Sequence, residues 1–240
     1  MVELGVVASM NRPGGNATGV TVLSAELWPK QLELLRKLAG SPNLIAVLVN
    51  PNNVTTRASV RIVEAAARAI NQNVLIVNAG TEGDFESEFA TLVQKRAGGA
   101  ASSFAIGVSA APVHAKDEIE GVIAAQARNP GGGLFVMPDV YNDANRELII
   151  ALTARYGVPA IYYNRFFSEL GGLISYGDVR GENFHLAAGY IDRILKGEKP
   201  ADLPLQAPTK FELIINLKTA KALGLDVPLH LQQAADEVIE

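Results

Sequence analysis

The 240-residue sequence contains no cysteine, which excludes disulfides, thiolate metal sites, iron–sulfur clusters and cysteine nucleophiles while leaving the redox compartment open. Histidine is almost as scarce. His114, His185 and His230 lie too far apart for the paired spacing that commonly builds a metal site, so no metal is expected. Basic charge is short as well: 21 Lys and Arg stand against 25 Asp and Glu, and no basic run exceeds two residues. A surface that tracks a phosphate backbone is therefore missing, and nucleic acid is not an expected partner. No apolar run reaches the roughly 18 residues that a membrane span needs. The opening stretch from Met1 to Met10 is apolar but carries Glu3 and lacks a basic start, so no secretory signal is read in it. Gly-x-Ser-x-Gly, Gly-x-Gly-x-x-Gly and Gly-Lys-Ser/Thr are also missing, which removes the usual marks of a serine hydrolase, a dinucleotide cofactor and a phosphate loop; no cofactor is expected.

What is present is apolar material, 48% of the residues, enough for a sizeable core and too much for global disorder. The length fits one large domain or two small ones. From residue 44, short β-branched runs alternate with longer amphipathic segments, the rhythm of βαβ units around a parallel sheet. The runs are Leu44 to Val49, Val74 to Val77, Phe104 to Val108, Leu134 to Met137 and Pro159 to Tyr163. Leu48, Val49, Val77, Val136 and Ile161 are expected to be almost fully buried, because central parallel strands face helices on both sides. Helical spacing joins Val60, Val63, Ala67 and Ile70, then Phe85, Phe89, Leu92 and Val93, then Ile119, Val122 and Ile123, then Leu148, Ile149 and Leu152. The glycines at 98–99 and 131–133 end helices in this reading.

Later in the chain the spacing predicts a short strand over 173–176 and a helix with Phe184, Ala187, Ala188, Ile191, Ile194 and Leu195 on one face. Pro200, Pro204 and Pro208 forbid a helix through that stretch. A strand over 211–215, a helix over 217–223 closed by Gly224, and a last helix over 229–239 complete the pattern. The unit around 104–133 echoes the one before it, an acidic helix start after a strand, and reads as an additional strand–helix pair.

In open α/β sheets ligands gather at the carboxyl ends of the strands, where helix N-termini present free N–H groups. Three loops at such positions are unusually polar: 50–56, with Asn50, Asn52 and Asn53; 138–143, with Asp139 and Tyr141; and 164–165, with Asn164 and Arg165. Carboxylate, amide, phenol and guanidinium groups on one rim suit a small polar or zwitterionic ligand that also has an apolar part. The same residue types serve as caps and turns, and both uses stay open here.

The segments NRPGGNATGV (11–20), AVLVNP (46–51), VPAIY (158–162), GGLISYG (171–177), IDRILKGEKPADLP (191–204) and PTKFELIINLKTAKALG (208–224) together resemble the ABC transporter substrate-binding protein family. The resemblance runs in order along nearly the whole chain. It implies an α/β, two-lobed fold of the type I periplasmic binding proteins, with residues 1–43 and 171–240 in lobe one and 44–170 in lobe two. It also implies that lobe one is incomplete, since the family carries a first βαβαβ part ahead of the RPGGN element. The function implied is capture of a small organic solute such as an amino acid between two lobes for an ABC permease, outside the cytoplasm, with no catalytic step. On this resemblance the ligand contacts are Asn50, Asn52, Asn53, Asp139, Tyr141 and Asn164, with Ser175, Tyr176 and Gly177 at the crossover. Self-association through the incomplete lobe is expected, because uncovered apolar surface and open sheet edges associate. Two rivals accompany this reading: a ligand-sensing module without a transport role, and an α/β enzyme with Asp139 as general base and Arg165 holding an anionic substrate.

Overall fold

The computed structural model describes residues 2, 5–21, 24–40, 44–78, 111–112, 132–179 and 181–240. The expected strand over 104–108, the helices around 85–93 and 119–123, and the glycines at 98–99 and 131 lie outside these residues. The chain forms two compact units: residues 1–24 with 178–212, and residues 25–177 with 213–240. Sequence reading places the lobe boundaries at 43/44 and 170/171.

The larger unit is built on a sheet of eight strands in the order β3-β2-β1-β4-β5-β6-β7-β8. The strands are β1 (Ile45–Val49), β2 (Val74–Asn78), β3 (Ala111–Pro112), β4 (Gly133–Val136), β5 (Ala160–Tyr162), β6 (Ile174–Asp178), β7 (Phe211–Asn216) and β8 (Glu237–Ile239). Pairing is parallel from β3 through β6 and again between β7 and β8. Leu48, Val49, Val77, Val136 and Ile161 are all buried as expected. Side chains alternate across the strands. Ile45, Val47, Val49, Phe135 and Met137 share one core with helices α1 (Ser24–Leu38) and α2 (Thr56–Ala69). Ala46, Leu48, Leu134, Val136 and Tyr162 share the other with α4 (Arg146–Arg155) and α5 (Arg165–Glu169), while the short α3 (Val140–Ala144) leads into α4. The strands thus read as continuous apolar runs because both faces are covered.

Helix α1 was not anticipated from the sequence, where Pro29 interrupts it. Proline lacks the N–H that the Ala25 carbonyl would accept. Burial of Leu27, Leu32, Leu34, Leu35 and Leu38 nevertheless holds the segment in helical form.

The end of the chain differs from the helix expected over 229–239. After α7 (Leu217–Ala222), helix α8 runs only from Leu229 to Ala234, and the chain then joins the sheet as β8. Asp236 causes the switch. Its N–H donates to the Leu213 carbonyl at 2.8 Å and its carboxylate accepts from the Leu213 N–H at 2.7 Å, which seeds the pairing with β7.

The smaller unit holds α6 (Glu182–Leu195) and a 3₁₀ turn at Pro200–Asp202. The RPGGN element lies along the proline-rich stretch: Thr18 Oγ1 donates to the Leu203 carbonyl at 2.6 Å, Leu205 N to Met10 O at 2.7 Å, and Val20 bridges Gln206. Gly14 has φ of +72°, a turn that glycine adopts at no steric cost. The helix expected over 184–195 forms, but its apolar face is not covered: Phe184 and Leu195 are each 81% exposed.

Candidate functional site

The site begins with two asparagines after β1. Asn50 follows Val49 directly, and its Nδ2 donates to Asp139 Oδ1 at 2.9 Å while its Oδ1 accepts from the Asn52 N–H at 2.9 Å. Asn53 gives its Nδ2 to Asp139 Oδ2 at 3.1 Å and uses its own Oδ1 for the Thr55 N–H and hydroxyl at 3.0 and 2.8 Å. Each side chain both forms its own turn and grips the neighbouring loop. That is why the sequence places two amides here and not two apolar residues.

Asp139 caps α3 from the end of β4, accepting from the Tyr141 N–H at 2.8 Å. Because β1 and β4 are paired in parallel, their exit loops emerge side by side, and the carboxylate ties them together. The Tyr163 hydroxyl reaches the Asp139 carbonyl at 3.4 Å. Burial, followed by the hydrogen bond that the phenol donates to the Asp143 carboxylate and the charge of that carboxylate, pushes the Tyr163 phenol well above its ordinary range, so it is a neutral hydroxyl here. Tyr141 is half-buried and packs against the second core. The result is a half-buried carboxylate at the carboxyl edge of the sheet, held by two side-chain amides and the Tyr141 N–H, with the Tyr163 hydroxyl on its own backbone carbonyl. Such a group can meet a ligand cation or donor.

The remaining residues singled out from the sequence lie elsewhere or do other work. Asn52 is exposed and enters through its backbone N–H. Asn164 caps α5, its side chain accepting from the Phe166 N–H at 3.1 Å. Ser175 is 1% exposed, and its hydroxyl finds no protein partner among the described residues. Tyr176 packs against the first core, its phenol raised by burial and then by the charge of Asp236. Gly177 is a packing glycine: a Cβ there would overlap the Tyr163 carbonyl oxygen, so β6 can lie against the Tyr163–Asn164 turn only without a side chain. Arg165, the anion-holding group of the enzyme reading, is committed to Glu169 and Glu237, both at 2.7 Å.

Sequence reasoning gave no reading of Trp28 and Gln31 of α1, both buried and each with a side-chain polar atom that finds no partner among the described residues. The signal was the single tryptophan of the chain, set just before a proline.

Among the described residues, no group of three or more His, Asp or Glu is arranged to hold a metal ion, and no helix is long and apolar enough to cross a membrane.

Comparison with known proteins places this geometry in a family. The family model described as ABC transporter substrate binding protein matches residues 90–239. A curated relative, the tyrosine-binding protein of Clostridioides difficile (strain R20291), is 25% identical over 226 residues; the match covers 93% of this chain and 54% of that protein. The chain therefore spans about half the length of this relative. Among solved structures, an ABC domain from Streptococcus pneumonia in complex with L-Trp superposes with a TM-score of 0.75 at 20% identity, covering 99% of this chain and 68% of that one. A conserved domain protein from Vibrio cholerae O1 biovar eltor gives a TM-score of 0.76 at 18% identity with the same coverage. The structural likeness carries the α/β, parallel-sheet fold of the type I periplasmic binding proteins, and the match over the greater part of the sequence carries membership: this chain belongs to the ABC transporter substrate-binding protein family.

Proposed function

We propose that this protein captures a small amino-acid-type solute for an ABC importer, binding it at the carboxyl edge of the sheet around Asp139 and passing it to a membrane permease outside the cytoplasm. The observation that carries the reading is the Asp139 carboxylate, held half-buried at the sheet edge by Asn50, Asn53 and the Tyr141 N–H. A carboxylate fixed in this way is oriented before a ligand arrives, and it suits the ammonium of an amino acid through a charge-assisted contact. Tyr141 supplies an apolar surface beside it. Asn50, Asn53, Asp139 and Tyr141 form the inner set of contacts in this reading, with Asn52, Asn164, Ser175, Tyr176 and Gly177 around or behind them. The named ligands of two similar proteins, tyrosine and L-Trp, support an aromatic amino acid as the first to try. Binding without turnover follows from the same proposal.

For the lobes, the compact units favour a second lobe larger than 44–170, one that takes in α1, most of β6 and residues 213–240. The chain passes between the units at the start of α1, within β6 and within β7.

The test is titration calorimetry of the chain with L-tyrosine, L-tryptophan and a panel of other amino acids, repeated with Asp139→Ala. Saturable binding that weakens in the variant is the expected result. Heat from none of the amino acids would overturn the ligand class.

A further inference from the structure

Helix α1 carries two buried polar atoms that no protein group satisfies. Trp28 is 6% exposed and Gln31 1% exposed, yet neither the Trp28 Nε1–H nor the Gln31 Oε1 has a hydrogen-bond partner among the described residues. Native interiors leave few such atoms, and each calls for a reason. The orientation of the amide is fixed, because Gln31 Nε2 donates to the Tyr176 carbonyl at 2.5 Å. What Gln31 has left to offer is an acceptor, and what the indole offers is a donor and nothing else. Residues three apart on a helix share a face, so the donor and the acceptor are neighbours.

The pair sits toward the same edge of the sheet as Asp139. Near its end, α1 packs Leu35 against Gly133, the first residue of β4, where a Cβ would lie 3.2 Å from Leu35 Cδ2. Arg36 donates to the Ile70 carbonyl, ahead of β2, at 2.6 Å. The helix therefore finishes at the amino edge of the sheet. One turn earlier Gln31 reaches Tyr176, the middle residue of β6, and Trp28 lies a further turn along the helix toward the carboxyl edge. Trp28 shares its core with Val49 and Met137, the residues that lead into Asn50 and into the Asp139 loop.

We infer that Trp28 and Gln31 are specificity-determining contacts that select a ligand carrying a hydroxyl group. A hydroxyl is the simplest group that satisfies both atoms at once, accepting from the indole N–H and donating to the amide oxygen. The inference rests on the amino-acid reading above and deepens it: an aromatic amino acid with a phenolic hydroxyl is preferred over its counterpart without one. A site built to hydrogen-bond a hydroxyl rejects the analogue that lacks it, because its own buried groups are then left unpaired. An ordered water is the other source of a hydroxyl, and the experiment separates the two.

L-Tyrosine and L-phenylalanine are titrated calorimetrically into the wild type and into Trp28→Phe, and ligand-free melts of both proteins are compared. The expected result is that L-tyrosine binds the wild type at least about tenfold more tightly than L-phenylalanine, in line with one or more buried hydrogen bonds. Trp28→Phe should lower the ratio several-fold by weakening L-tyrosine alone, since the hydroxyl keeps its hydrogen bond to the Gln31 amide oxygen. In the ligand-free protein the same substitution opens a small cavity in the core and lowers the melting temperature, and the melts fix a temperature at which both proteins are folded for the titrations. L-Tyrosine should also shift the emission of Trp28, the single tryptophan, when the indole is excited selectively. A ratio that Trp28→Phe does not change, or binding of L-tyrosine without an emission change, would each overturn this inference and leave the amino-acid reading standing. If neither amino acid nor any other in the panel binds, the amino-acid reading falls and this inference falls with it.

Discussion

Asp139 serves the structure, and under the proposed function it serves binding as well. It caps α3 and accepts from side chains of the loop after β1, so its replacement by alanine removes a cap and two links between loops. A loss of about 1–3 kcal/mol of stability in denaturant melts is expected. If the carboxylate also meets a ligand cation, affinity falls as well, by about 2–5 kcal/mol, the range for removing one partner of a desolvated charged pair. Asp178 gives a different residue-scale prediction. Burial, only partly offset by the hydrogen bond from Asn183 at 3.1 Å, raises its carboxyl above the ordinary range, and the charge of Glu182 adds to this. A carboxyl raised in the folded state favours folding while protonated, and that contribution is lost as pH rises through the raised value. Asp178→Asn should therefore raise the melting temperature at neutral pH. The gain should disappear below the ordinary carboxylate range. Equal gains at both pH values would contradict the assignment.

At the scale of elements, the glycines divide into those that touch and those that do not. A Cβ at Gly172 would lie 2.6 Å from Tyr162 Cε2 and 2.7 Å from the Phe167 carbonyl, and one at Gly177 would overlap the Tyr163 carbonyl. Gly172→Ala and Gly177→Ala should each cost at least about 1–3 kcal/mol by forcing β6 away from β5 and α5. Gly189, inside α6 with nothing within 4 Å of a Cβ, should behave in the opposite way. Gly189→Ala is expected to stabilise by about 0.5–1 kcal/mol in the same melts, the helix-interior difference between the two residues. Strands β1, β2, β4 and β5 were legible in the sequence because both faces of the sheet are covered and the apolar runs are uninterrupted, whereas the two-residue β3 is too short to leave a pattern. Helix α1 was not, since Pro29 breaks the local pattern and burial of its leucines restores it. Strand β8 was hidden in a segment whose apolar spacing also fits a helix, and only its pairing with β7 through Asp236 decides the matter. The same division holds for the candidate site. Asn50, Asn53 and Asp139 were singled out because they follow strands, and hydrogen bonds join the three, whereas the packing role of Gly177 depends on a backbone that comes near only in the fold. Trp28 and Gln31 drew no reading for want of the helix that sets them three residues apart on one face.

For the whole molecule, family membership and the parallel-sheet fold set the frame within which the Asp139 edge is read as a binding site. Asn50, Asn53 and Asp139 lie within the larger unit, so the account requires that the chain as given recognise its ligand measurably. The most direct test is calorimetric titration of L-tyrosine and L-tryptophan into the wild type and into Asp139→Ala, at a temperature where melts show both to be folded. The account expects saturable binding of at least one of the two amino acids by the wild type, weakened about 30-fold or more in the variant, as a loss of about 2 kcal/mol requires. Equal affinity of the two proteins would contradict it.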